Sequence, residues 1–227
     1  MQTICNMKKR KLFTAGCSIS TRCNGKTSYP EELSILLNYE LVNCTAGCGS
    51  NYRIWRMITK HIMDGNLTSD DLVVIQYTEP TRREFWSKFP KKKNWDYAED
   101  YDGGSVMRFK IDSYLWQNTK EEVEFLRTYE FNHLNDSFET ENFHVNNFNF
   151  QHMLKSHNIK VVFVKTTRIS VPEFFTFEEY KNAFYYDTSN SERVNNQSLK
   201  DTGHFSDKGH KLIAENLYQH ILNLKIN

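Results

Sequence analysis

Apolar residues recur along this chain in two periods, and segments of the two kinds alternate. Short apolar runs at Lys11-Leu12-Phe13-Thr14-Ala15, Glu40-Leu41-Val42-Asn43, Asp71 to Gln76 and Lys160-Val161-Val162-Phe163-Val164 predict strands. In the third run the apolar residues are continuous rather than alternating, which fits a parallel sheet covered on both faces. Between the runs the period lengthens to that of a helix. Tyr29 to Asn38 carries Leu33, Leu36 and Leu37, with Pro30 in its first turn. Ser50 or Asn51 can cap a second helix that runs to about Asp64, where Ile54, Trp55, Ile58 and Ile62 recur and Gly65-Asn66 stops the pattern.

The second half is less regular. Residues 77–117 lose periodicity. A helical region spans about 118–157, with a break predicted near Asn135 or the Asn146-Asn147 pair. Residues 165–200 read as loop, and Asp207 to Leu224 reads as a closing helix. Strands alternating with helices predict a three-layer α/β/α sandwich around a mostly parallel, doubly wound sheet of about five strands. Ligands of such a fold sit at the carboxyl ends of the strands. Ser18, the 47–51 loop, Thr78 and the 165–204 loops all fall at that edge.

Composition narrows the class. A chain of 227 residues can bury a large core, so one domain over 1–227 with an insertion at about 77–117 is expected. With 29 basic and 28 acidic residues there is no global field to draw in nucleic acid or an anionic membrane. No apolar run approaches the roughly 18 residues of a membrane span. The stretch from Met1 to Arg10 has the charges but not the apolar centre of a signal peptide, so the expected location is the cytosol or a particle assembled there. The five cysteines (Cys5, Cys17, Cys23, Cys44, Cys48) cannot all pair, and their spacing matches no zinc finger; they read as reduced structural thiols.

The chemistry gathers at the two ends. Asp201-Thr202-Gly203-His204 places a carboxylate three residues before an imidazole, just ahead of the closing helix. A carboxylate can hold an imidazole in one tautomer, and the imidazole can then deprotonate a hydroxyl. Gly16-Cys17-Ser18 follows the first strand directly, where an α/β fold can present a nucleophile. The plain alternatives are a turn serine for Ser18, a surface histidine for His204 and a helix cap for Asp201. Cys17 is a second nucleophile candidate if the turn shifts by one residue. His210, inside the closing helix, reads as structural. His61, His133, His144, His152, His157 and His220 show no ligand spacing.

Taken in order, these blocks resemble the SGNH/GDSL hydrolase family, including its variants common in phage and viral genomes. The family carries a Gly-Asp-Ser turn after its first strand and Asp-x-x-His before its last helix. Gly16-Cys17-Ser18 matches the first block with Cys in place of Asp, and Asp201 and His204 match the last. Asn43-Cys44-Thr45-Ala46-Gly47-Cys48-Gly49-Ser50-Asn51 resembles the second block, a Gly-containing loop. The third, Gly-x-Asn-Asp after the next strand, is replaced by Tyr77-Thr78-Glu79-Pro80, so the family's Asn is missing. The resemblance implies a flavodoxin-like sheet and a metal-independent serine esterase without cofactor, with Ser18 as nucleophile, His204 as base and Asp201 as orienter.

The oxyanion hole is the part the sequence specifies least. The Ser18 N–H and one N–H from Gly47-Cys48-Gly49 can supply two donors, with Gly49 favoured over Cys48. The third, normally the Asn amide, would come from Thr78, Asn51 or another residue that the sequence does not single out; Glu79 as a carboxylate only accepts.

The insertion carries Phe85, Trp86, Phe89, Trp95, Tyr97, Tyr101 and Trp116 among Arg82, Arg83, Lys88 and Lys91-Lys92-Lys93. Aromatic faces suit sugar rings, and Arg82 can clamp an anionic group, so Arg82 and Trp86 are candidate substrate contacts. The same aromatics could instead pack a small core of the insertion's own. Acidic residues among the bases weaken the patch as a nucleic-acid signal.

Three functions follow. The leading one is hydrolysis of a small-molecule or carbohydrate O-acyl ester. The second is a catalytically degenerate binding module for glycan or a protein partner. A phosphodiesterase or nuclease comes third, since no metal-binding carboxylate cluster is evident. Neither the acyl substrate nor the oligomeric state is readable.

Overall fold

The computed structural model describes residues 9–22, 26–47, 49–78, 80, 84–87, 105–108, 124, 128, 136–165, 183–187, 200–201 and 204–225. Five parallel strands form the central sheet: β1 (Lys11–Ala15), β2 (Glu40–Asn43), β3 (Leu72–Gln76), β6 (Lys160–Lys165) and β7 (Ala183–Asp187). Their spatial order is β2-β1-β3-β6-β7. The chain steps outward from β1 to β2, then reverses across β1 to β3. Right-handed crossovers in opposite directions put their helices on opposite faces. Accordingly α1 (Tyr29–Leu37) covers one face and α2 (Asn51–Met63) the other.

The strand residues divide cleanly between two cores. Phe13, Val73, Ile75, Val161 and Phe163 pack with Ile54 and Ile58 of α2 and with Phe143, Phe150 and Leu154 of α3 (Asp136–Ser156). Their neighbours Leu12, Leu72, Val74, Val162 and Val164 face the other way, toward Leu33 of α1 and Ile213, Leu217 and Ile221 of α4 (Asp207–Asn223). Burial of both faces explains the continuous apolar runs. The fold is the expected α/β/α sandwich.

Local chemistry sets the element ends. Ser50 caps α2 by accepting the Arg53 N–H at 3.1 Å. The Glu31 carboxylate reaches back to the Ser28 N–H at 2.8 Å, and Asn38 ends α1 in the left-handed conformation at φ 55°. Asp71 lies just outside β3, where its carboxylate accepts the Lys11 N–H at 2.9 Å and the Thr68 N–H at 3.0 Å.

Three expectations change. β7 lies inside the stretch read as loop. Helix α3 runs through Asn146-Asn147 without a break, since Asn147 is buried against Tyr77 rather than acting as a stop. Within residues 77–117, β4 (Glu84–Ser87) and β5 (Ser105–Arg108) form an antiparallel ribbon. The remaining insertion residues, Asn135 and most of 165–200 lie outside the described residues. No helix among the described residues is long and apolar enough to cross a membrane.

Candidate active site

The first half of the site is the turn after β1. Gly16 leaves the strand with no room for a side chain, because a Cβ there would lie 2.6 Å from Ser20 Oγ and 3.1 Å from both Cβ and Oε1 of Gln76. The chain then enters a 3-10 turn, Ser18–Ser20. Cys17 points inward, fully buried, and its N–H and S–H both reach Gln76 Oε1 at 3.2 Å. That inward orientation argues against Cys17 as the nucleophile. Ser18 is half-buried, and its Oγ lies 3.0 Å from His204 Nε2.

His204 comes from the other end of the chain. It opens β9 (His204–Phe205), which pairs antiparallel with β8 (Lys200–Asp201) in the register Asp201 to His204 and Lys200 to Phe205. Phe205 is buried in the core beneath α4, and Ser206 caps that helix by accepting the Gly209 N–H at 3.3 Å. His204 is thus held between a buried anchor and a hydrogen-bonded ladder. The backbone sets Asp201 directly across from His204; the Asp201 side chain lies outside the description.

His210, one turn into α4, is fully buried. Its Nδ1 accepts the Tyr29 N–H at 3.2 Å, at the start of α1. Burial lowers its pKa to about 4, with the charge of His204 adding in the same direction and Asp207 and Glu31 opposing. The Asp207 carboxylate accepts the N–H groups of Lys26 (2.8 Å) and Thr27 (3.2 Å), so α4 ties down the approach to α1.

Two of the expected oxyanion donors have their N–H groups engaged within the protein. The loop after β2 folds back on the nucleophile turn, with the Ala46 N–H on Gly16 O at 3.1 Å. The favoured Gly49 N–H donates to Ala46 O at 3.1 Å, and a Cβ on Gly49 would meet Gly16 O at 3.1 Å. Gly49 therefore supports the turn by close approach, with its N–H turned into the loop. Cys48 lies outside the described residues. Thr78 is also engaged: its N–H donates to Asn51 Oδ1 (2.9 Å) and its carbonyl accepts from Asn51 Nδ2 (2.8 Å). Asn51 thereby spends both ends of its amide bracing the loop after β3. By contrast, the Ser18 N–H has no hydrogen-bond partner among the described residues.

Of the candidate substrate contacts, Arg82 lies outside the described residues. Trp86 stands in β4 opposite Val106, with only its backbone described. Among the described residues no group of three or more His, Cys, Asp or Glu side chains could hold a metal ion.

Sequence reading missed Gln76. Its Oε1 accepts from Cys17 N, Cys17 Sγ and Ser20 Oγ, while its Nε2 donates to Tyr77 O. The available signal was one amide ending an otherwise apolar buried strand.

No family model and no curated protein sequence matches the chain. Solved structures do. A protein of the G-D-S-L lipolytic family from Desulfitobacterium hafniense DCB-2 superposes with a TM-score of 0.55 at 14% identity, covering 93% of this chain and 99% of the other. An acylhydrolase assignment accompanies a Bacteroides fragilis NCTC 9343 structure with a TM-score of 0.48 at 12% identity, covering 96% and 88%. At this identity the first likeness establishes a shared fold.

Proposed function

We propose that this protein is a serine ester hydrolase in which Ser18 is the nucleophile, His204 the general base and Asp201 the residue that orients His204. One observation carries the reading: Ser18 Oγ and His204 Nε2, 186 residues apart in sequence, lie 3.0 Å apart at the carboxyl edge of the sheet. That is hydrogen-bond reach for a nucleophile and its base. The cross-strand register of Asp201 and His204 supports the orienting role, because directly opposed residues bring their Cβ atoms to about 5 Å. The lipolytic assignment of the Desulfitobacterium fold neighbour agrees with ester chemistry.

The reaction then runs through two displacements. His204 Nε2 takes the Ser18 proton as Oγ attacks the ester carbonyl, and the oxygen of the tetrahedral intermediate turns toward the Ser18 N–H. Collapse expels the alcohol, which receives the proton from His204. Water, deprotonated by His204, releases the acid and restores Ser18. The substrate class we assign is an O-acyl ester, with acetylated carbohydrate favoured by the aromatic content of the insertion.

A second reading has one observation behind it. The N–H groups of Gly49 and Thr78 are both engaged within the protein, and losing one oxyanion donor typically costs on the order of 100–1000-fold in rate. A binding module that keeps the fold and not the chemistry would carry such a site.

Hydrolysis of a short-chain nitrophenyl ester separates the two. The hydrolase reading expects turnover that survives EDTA and disappears in Ser18→Ala with the fold intact. Absence of turnover in the unaltered protein, together with glycan or partner binding unaffected by Ser18→Ala, would establish the binding module.

A further inference from the structure

We propose that Gln76 is a positioning residue for this reaction, its buried amide holding the turn that aims the Ser18 hydroxyl and N–H. The inference rests on Ser18 being the nucleophile. Gln76 ends β3, is fully buried, and follows four apolar buried residues, Leu72 to Ile75. A primary amide in that setting is costly unless its groups are hydrogen-bonded. Here they are. Oε1 accepts the Cys17 N–H and S–H, each at 3.2 Å, and the Ser20 hydroxyl at 3.1 Å; Nε2 donates to Tyr77 O.

Two aspects of this network point beyond packing. The three donors flank Ser18, coming from the residue before it and the residue two after it, so one oxygen clamps both sides of the nucleophile. The amide also has a single workable orientation, since turning it over would set Nε2 against the Cys17 N–H and Oε1 against the Tyr77 carbonyl. Gly16 makes the clamp tight, because any side chain there would collide with Ser20 Oγ and Gln76. Ser20 Oγ also meets Tyr29 OH at 2.8 Å, so the turn is fixed to the start of α1. Gln76 makes no described contact with Ser18 or His204 side chains. It acts through Cys17 and Ser20.

The test compares Gln76→Met and Gln76→Glu in the full chain. Three quantities are read from pH 5 to 9: the second-order rate of inactivation by a fluorophosphonate, and kcat and KM for a short-chain nitrophenyl ester. Gln76→Met keeps the bulk and removes every hydrogen bond, and a nucleophile displaced by about 1 Å can lose on the order of 100-fold. We expect inactivation and kcat to fall on that scale with KM within about two-fold.

Gln76→Glu supplies a control that does not depend on the Met variant folding. A protonated carboxyl reproduces the native pattern, its carbonyl oxygen accepting and its hydroxyl donating to Tyr77 O. Once ionised, it sets two acceptor oxygens where one donor is needed, and burial resists that ionisation. Its activity should therefore rise and then fall with pH, where the native protein only rises as His204 loses its proton. A purely structural role would lower the melting temperature of both variants and leave native inactivation rates per folded molecule, with no falling limb; that outcome overturns the proposal. A native protein that the probe inactivates no faster than Ser18→Ala overturns the hydrolase reading, and this inference with it.

Discussion

Ser18 is exposed to His204 because its neighbours are turned the other way. Cys17 and Ser20 point inward onto Gln76, Ile19 packs into the core, and Ser18 is left facing the imidazole. Ser18→Ala should therefore cut kcat by at least about 1000-fold while the melting temperature stays near native. Asp201→Asn should retain more activity than His204→Ala, by on the order of 100-fold in kcat, since the base takes the proton itself and the carboxylate fixes its tautomer. Equal losses would remove the distinction between the two roles. Gly16, Ser18, Asp201 and His204 stand out in the sequence because each belongs to a short pattern with a chemical reason, and the fold brings Ser18 Oγ and His204 Nε2 together. Gln76 was not legible. Its partners in the turn are 56–59 residues away, and only the packing of β3 beside β1 shows that its amide lies beneath the turn.

At the scale of elements, the site is held by side chains that satisfy backbone groups across element boundaries. Asn51, the first residue of α2, takes both backbone polar groups of Thr78 just beyond β3. Asn51→Leu should cost about 1–3 kcal/mol in denaturant unfolding, because it removes two hydrogen bonds to buried backbone groups. His210 on α4 does the same for the first N–H of α1, and this gives stability a pH dependence. Its folded pKa of about 4 lies below the ordinary histidine value of 6.5. Between those values the unfolded chain binds more protons, so stability is fully present above about pH 6.5 and declines as pH falls toward 4, by up to about 3 kcal/mol. His210→Asn keeps an acceptor near the Nδ1 position and should flatten that slope in thermal melts taken between pH 4 and 7; an unchanged slope would assign it to other groups. Apolar periodicity located α1, α2, α4 and the first four strands of the sheet to within a residue or two. It did not locate β7. Ala183-Phe184-Tyr185-Tyr186-Asp187 is a short aromatic run in polar surroundings, and its register with β6 is a long-range pairing.

Over the whole molecule, the reversal of strand order between β1 and β3 brings the site together. Loops leaving those two strands diverge to opposite sides of the sheet and open a crevice at their carboxyl ends. Ser18 follows β1, Thr78 follows β3, and the hairpin with His204 reaches the same edge from the end of the chain. The insertion begins at that edge too. If Arg82 and Trp86 line the crevice, Arg82→Ala and Trp86→Ala should lower kcat/KM for an acetylated oligosaccharide far more than for nitrophenyl acetate, since remote contacts act only on substrates long enough to reach them. The central claim is that Ser18 becomes covalently acylated. Peptide mapping by mass spectrometry after fluorophosphonate treatment tests it most directly. A single adduct on the Ser18 peptide is expected, lost in Ser18→Ala and formed at least about 100-fold more slowly in His204→Ala; no adduct, or one that persists in Ser18→Ala, would contradict the account.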